Sequence, residues 1–245
     1  MNDPMIHDIE LDAYNNQEEL IEHFAATKDY TKFLEMYKTA RELYPIDKTH
    51  PDFYYFKPGE DAKRIWREDT VASLAPFDRD PSSMVLNIGS GYIGEMSRKI
   101  NNIIETDMHH KDRYRGRGIY FQSDARVITS NLPMHVDPGS IDIIICMEML
   151  EHVSPRHTFD IYKQFNELLP IGGTLIISTP WTQELKKWAC KCPMCNMWVV
   201  ENGHIRKNSP YVIEAELVCS GFLLEQTIEG DGLCYVYKAK KVSAL

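Results

Sequence analysis

No apolar run in the 245 residues approaches the roughly 20 that a membrane-spanning helix needs. The opening Met1-Asn2-Asp3-Pro4 is polar and acidic and lacks the basic-then-apolar order of a secretory leader. Excess positive charge is missing too: 27 Lys and Arg face 36 Asp and Glu, a formal net charge of −9. Nucleic-acid backbones are held by clustered cations, so a chain of this sign is a poor non-specific binder of them. The densest basic run, Lys111-Asp112-Arg113-Tyr114-Arg115-Gly116-Arg117, is short and interrupted. It reads as a solvated loop, with contact to a phosphate-bearing substrate as the lesser alternative. Cysteine is scarce, six in all, too few for a disulfide scaffold. The expectation is a cytoplasmic chain with reduced or metal-bound thiols, no membrane partner and no nucleic-acid partner. Its 43% apolar and 26% charged content is that of an ordinary globular protein, and its length suits one large domain or a domain plus a cap.

What stands out is Met84-Val85-Leu86-Asn87-Ile88-Gly89-Ser90-Gly91-Tyr92-Ile93-Gly94. An apolar run of strand length ends in a G-x-G-x-x-G spacing, and a helical pattern opens behind it. The first glycine permits a tight turn, the second lets a ligand approach the backbone, and the third lets a helix pack close to the strand. The N–H groups of such a helix face the crevice. Asn102 to Asp107 reads as a second strand closed by a carboxylate, 18 positions after Gly89. An acid about 20 residues on suits a ribose hydroxyl pair. Ile119 to Ala125 is a third strand, holding Asp124 near its end. Ser140 to Cys146 is a fourth, followed by Met147-Glu148-Met149-Leu150-Glu151-His152-Val153, and Gly172 to Pro180 is a fifth.

Over Ser83 to Lys240 this series resembles the class I S-adenosylmethionine (SAM) dependent methyltransferases, in the group whose fourth strand runs into an L-E-H-V segment. The resemblance implies a doubly wound, mostly parallel seven-stranded α/β sheet of Rossmann-like type with an N-terminal helical cap. It implies SAM as cofactor, with the methionine part over Asn87, Gly89, Ser90 and Gly91. Asp107 with Met108 would hold the ribose, Asp124 with Ala125 the adenine, and Met147 would flank the cofactor. The family usually has an acid where this chain has Asn87.

The chain up to Pro45 reads as helical from the spacing of Leu20, Ile21, Phe24, Tyr30, Phe33, Leu34, Tyr37 and Leu43. Phe53-Tyr54-Tyr55-Phe56 reads as a core plug, with a substrate-side wall as the alternative. Glu60 to Leu74 reads as another helix. Residues 1–80 are thus expected to form the cap and 81–245 the SAM-binding domain. From Met84 strands alternate with helical stretches, as in a parallel sheet covered on both faces. Pro210 to Ser220 is a helix closed by Gly221, and Phe222 to Ile228 with Leu233 to Ala239 form a hairpin around Gly230-Asp231-Gly232.

Residues 182–207 form a Cys-rich insertion. Cys192-Pro193-Met194-Cys195 has the C-x-x-C spacing that lets two thiolates face one ion. Cys190 adds a third sulfur, and His204 lies nine residues past Cys195. The set suits structural zinc; free thiols and redox pairing remain the alternatives.

A base is needed only where the methyl acceptor carries a proton. Glu148 and His152 fall beyond the fourth strand, where ligands enter such sheets, and are the catalytic residues expected. Shaping of the turn is the competing reading for His152, and packing for Glu151. The function expected is methyl transfer to a small molecule or natural-product intermediate. A catalytically silent methyltransferase-like binding module and a dinucleotide-dependent oxidoreductase are the alternatives.

Overall fold

The computed structural model describes residues 60–75, 83–91, 94–108, 111–180, 189–191, 198–200, 204, 206, 208–230 and 234–245. The helical reading of the chain before Pro45, the aromatic cluster at 53–56, and Cys192 and Cys195 lie outside them. The described residues fall into two compact units. One carries the sheet and spans 61–150, 156–181 and 208–245. The other includes Glu151–Pro155 and the described residues between Thr182 and Lys207.

The sheet has seven strands: β1 (Val85–Ile88), β2 (Ile103–Asp107), β3 (Ile119–Gln122), β4 (Ile143–Met147), β5 (Thr174–Pro180), and, numbered past a separate two-stranded ribbon, β8 (Phe222–Gly230) and β9 (Cys234–Lys241). That ribbon pairs β6 (Ala189–Lys191) with β7 (Trp198–Val200). The sheet order is β3-β2-β1-β4-β5-β9-β8. The first five strands are parallel, and β9 runs antiparallel between β5 and β8. The expected mostly parallel sheet with a C-terminal hairpin is therefore present. The order reverses between β1 and β4, the switch point at which ligands of open α/β sheets bind.

The central strands are buried on both faces, which explains why, Asn87 apart, they are apolar throughout. Their side chains alternate between faces. Val85, Ile103, Ile143 and Ile145 join one apolar cluster with Met96, Ile100, Val71 and Ala75. The helix α1 (Glu60–Leu74), expected in the cap, thus packs into the core of the sheet unit. Two more helices, α2 (Pro155–Leu168) and α3 (Pro210–Cys219), flank β5 in the chain. Ser209 caps α3, its hydroxyl accepting from the Val212 N–H, and Pro210 opens it.

The crossovers differ from expectation. Among the described residues, no α-helix lies between β1 and β4; each connection holds one 3₁₀ turn, at Met96–Arg98, Lys111–Arg113 and Ile128–Ser130. The reason is local. Met96 and Ile100 form a single buried i, i+4 pair, enough apolar surface for one turn. Gly94 and Asn102, both at positive φ, bracket it.

Candidate functional site

The turn after β1 is built from two kinds of contact. The N–H groups of Gly89 and Ser90 both donate to the Thr106 carbonyl, at 2.9 and 3.2 Å. The Gly91 N–H donates to Asp107 Oδ2 at 2.9 Å. The bend is thereby tied to the end of β2, and Asp107 stands directly beside it. Gly89 and Gly91 have φ of +72° and +62°, where only glycine is unstrained. Their surroundings differ. A Cβ on Gly89 would strike Met149 at 2.8 Å, whereas a Cβ on Gly91 would meet nothing within 4 Å. Among the described residues, space beside Gly91 is therefore open, as the middle glycine of this motif requires if a ligand is to approach. The Ser90 hydroxyl donates to the Gly91 carbonyl at 3.2 Å.

Beneath the turn lies a buried polar network. Asn87 on β1 and Glu105 on β2 are register partners, and the Asn87 amide donates to Glu105 Oε1 at 3.0 Å. Glu105 is fully buried. Its second oxygen accepts from the Tyr114 hydroxyl, which also accepts from the Gly118 N–H at 3.0 Å. Burial, and then the bond to Glu105, push the Tyr114 phenol up to about 12. A Cβ on Gly94 would lie 2.6–2.7 Å from Tyr114, Glu105 and Gly116, so the third glycine admits a loop rather than a helix. Ser97 completes the tie, donating to the Gly94 carbonyl at 2.6 Å and accepting from the Arg117 N–H at 2.7 Å.

At the next strand end, Asp124 is locked to Arg126. The guanidinium reaches Oδ2 at 2.7 Å, and the Arg126 backbone N–H reaches Oδ1 at 2.8 Å. Burial opposes ionisation here, but the Arg126 hydrogen bonds and charge outweigh it and hold the Asp124 carboxyl below its usual range. Ala125 is half-buried beside it, and the Met108 carbonyl accepts from the Gln122 amide at 2.9 Å. Burial, and then the charge of Asp107, push Tyr120 up.

Met147 ends β4, and Glu148 follows at a φ of +49°, a left-handed conformation that costs a non-glycine residue energy and tends to mark functional positions. Its carboxylate accepts from Ser178 Oγ at 3.1 Å and Cys234 Sγ at 3.5 Å, and pairs with Arg67 at 3.3 Å.

His152 lies in the other unit. Glu151 and His152 sit on a 3₁₀ turn (Leu150–His152), and His204 meets both. The two imidazoles cross edge to face with centroids 4.6 Å apart. His204 Nε2 is 3.9 Å from Glu151 Oε1. Burial, and then the neighbouring His152, push His204 down to about 3. Its ring is neutral near pH 7, so the contact with Glu151 is dipolar rather than an ion pair. Of the expected sulfur ligands, Cys190 lies on β6.

Several of these groups escaped sequence reasoning. Tyr114 was hidden in a basic run. The lock on Asp124 was signalled only by an arginine two residues on. Glu105 reads as an ordinary residue of a strand closed by a different acid. His204 was visible only as a neighbour of cysteines.

No protein-family model matches the chain, and no curated protein matches it in sequence. Solved structures do match in fold. A SAM-dependent methyltransferase from Archaeoglobus fulgidus superposes with a TM-score of 0.54 at 16% identity, over 77% of this chain and 100% of that one. The 1,6-didemethyltoxoflavin-N1-methyltransferase of Burkholderia thailandensis, solved with its acceptor and S-adenosylhomocysteine, gives 0.52 at 13% identity over 75% and 84%. The magnesium protoporphyrin IX methyltransferase of Synechocystis, solved with S-adenosylhomocysteine, gives 0.50 at 16% over 80% and 100%. With its reversed strand order at β1 and β4 and its antiparallel β9, the chain has the fold of the class I SAM-dependent methyltransferases.

Proposed function

We propose that the protein is a SAM-dependent methyltransferase acting on a small-molecule acceptor. The observation that carries this reading is the edge formed by β1, β2 and β3. The open turn at Gly91, the carboxylate of Asp107 hydrogen-bonded to it and the acid Asp124 follow three adjacent strands in turn. Bound there, SAM supplies a methyl group on a sulfonium sulfur, which is already electrophilic. The chain's own part is to bind and orient. Asn87, Gly89, Ser90 and Gly91 cradle the amino-acid portion, Asp107 and Met108 the ribose, Asp124 and Ala125 the adenine edge, and Met147 flanks it. Asn87 replaces the usual acid, but Glu105 places a buried carboxylate 3.0 Å from its amide. An acidic side chain thus stands at this point of the sheet on β2 instead of β1. His152 and Glu148 are assigned to removal of the acceptor's proton and to orientation, with Arg67 and Ser178 fixing Glu148.

A small acceptor fits a chain of net charge −9, and two proteins of the same fold act on a toxoflavin precursor and on a porphyrin. No helix among the described residues is long and apolar enough to cross a membrane.

Titration calorimetry with S-adenosylhomocysteine tests the reading. Asp107→Ala should weaken binding by about 1–3 kcal/mol, the scale of charge-assisted hydrogen bonds, or roughly 5- to 150-fold in Kd. Unchanged affinity in the variant, or tighter binding of NADH by the wild type, would refute it.

A further inference from the structure

Glu151, His152 and His204 each offer one donor atom, and these three atoms lie within 4.8 Å of one another. Two are imidazole nitrogens and one is a carboxylate oxygen. We propose that they form a divalent transition-metal site distinct from the cysteines, in which His152 serves as a ligand when the ion is bound and not as the free base assigned above.

The chemistry of the donor set selects the ion. Imidazole favours zinc, cobalt, nickel and iron over magnesium and calcium, which take oxygen. Zinc bonds of about 2.1 Å at tetrahedral angles put donor atoms roughly 3.4 Å apart. His204 Nε2 and Glu151 Oε1 are already within 3.9 Å of each other. Glu151 exposes 1% of its surface and His204 9%, so an ion held here is largely shielded from water and its charge complements that of Glu151.

Three protein ligands do not complete a tetrahedral shell. Structural zinc sites are closed by four ligands, whereas sites that act on a ligand keep a position open. The remaining position takes an oxygen ligand, either water or a hydroxyl, and the metal lowers the pKa of whatever oxygen binds there. The arrangement also gives His204 a role other than the one its distance from Cys195 suggests. His152 and Glu151 come from a turn beyond β4, and His204 from the 182–207 stretch, so the ion would clip these two segments of one unit together.

Cobalt(II) substitution of the full-length, chelator-stripped protein separates this site from the cysteines. The expected result is one tightly bound cobalt per chain with visible ligand-field bands. The near-ultraviolet charge-transfer band of cobalt–thiolate bonds should be missing. Binding should persist in the triple variant Cys190→Ser/Cys192→Ser/Cys195→Ser. It should weaken in His152→Ala and Glu151→Gln by more than the roughly 10- to 100-fold that losing an outer-shell partner costs. His204→Ala should behave likewise; if that buried substitution prevents folding, judged by circular dichroism, the other two variants decide. A thiolate band that vanishes with the triple variant and leaves no residual cobalt would overturn the proposal. So would failure to bind cobalt or zinc at all, or full retention of metal in both His152→Ala and Glu151→Gln.

Discussion

The two halves of the sheet are held together by different means. In the β3-β2-β1 half the strands are joined by 3₁₀ turns, and the deepest polar contacts include Asn87 with Glu105 across the strands and Glu105 with Tyr114 of the β2–β3 connection. In the β4-β5-β9-β8 half the chain forms helices. There α2 buries Ile161, Tyr162, Phe165 and Leu168 almost completely, with Tyr162 and Phe165 packed edge to face at 5.7 Å. The end of α2 is capped by the buried Lys241 ammonium, which donates to the Asn166 and Leu169 carbonyls at 2.5 and 2.8 Å. A helix buries surface by packing, but it also covers the backbone it packs on. The half with turns leaves Gly91 clear of the other described residues and adds buried hydrogen bonds to the packing of α1 on Val85 and Ile103. Stability and ligand binding should therefore be coupled in that half and separable in the other.

The largest effect expected belongs to the helical half. Phe165 is fully buried, and Phe165→Ala should cost about 3–5 kcal/mol in urea unfolding through the cavity it leaves. Affinity for S-adenosylhomocysteine, measured where the variant is still folded, should not change. A matching loss of affinity would break the comparison.

The next effect belongs to the other half. Tyr114→Phe removes a hydrogen bond to a buried carboxylate and the acceptor of the Gly118 N–H. It should cost about 1–3 kcal/mol, and it should lower affinity for S-adenosylhomocysteine as well, because the loop under Gly94 loosens. The same variant has a signature in pH. An unfolded tyrosine loses its proton near pH 10, whereas burial and Glu105 keep the Tyr114 proton on to about 12. Between those values the unfolded chain binds fewer protons than the folded one, so stability falls as pH rises. Tyr114→Phe should flatten that fall. An equal slope in variant and wild type would mean that Tyr114 is not held protonated by the fold.

How much of this was legible in the sequence follows the same division. Strands with both faces covered announce themselves as runs such as Ile141 to Cys146, and the antiparallel pair was marked by its glycines. The extent of α1, Glu60–Leu74, followed from Ile65, Trp66, Val71 and Leu74. The three missing crossover helices were not legible, because one buried i, i+4 pair such as Met96 and Ile100 looks like the start of a helix and cannot reveal that nothing follows. Polar contacts across the sheet were illegible for a different reason. Asn87 and Glu105 are 18 positions apart and meet only through strand register, while His204 meets His152 from far along the chain. Periodicity carries information about neighbours along an element, and these pairs are neighbours across elements.

The smallest effect expected asks whether polarity or burial does the tying in the turn-rich half. Lys99 follows the 3₁₀ turn after Gly94 and reaches Asp69 on α1 at 2.5 Å, with Glu68 at 3.8 Å. Its geometry is close, yet the Asp69 side chain is 62% exposed. Water screens such a pair, and side-chain ordering offsets most of what remains. Asp69→Asn should therefore cost no more than about 1 kcal/mol, less in high salt, since Lys99 keeps Glu68 as a partner. Affinity for S-adenosylhomocysteine should be unaffected. A loss as large as that of Tyr114→Phe, persisting in high salt, would mean that charge at the surface, rather than the desolvated Glu105 beneath the turn, holds this half of the sheet in place.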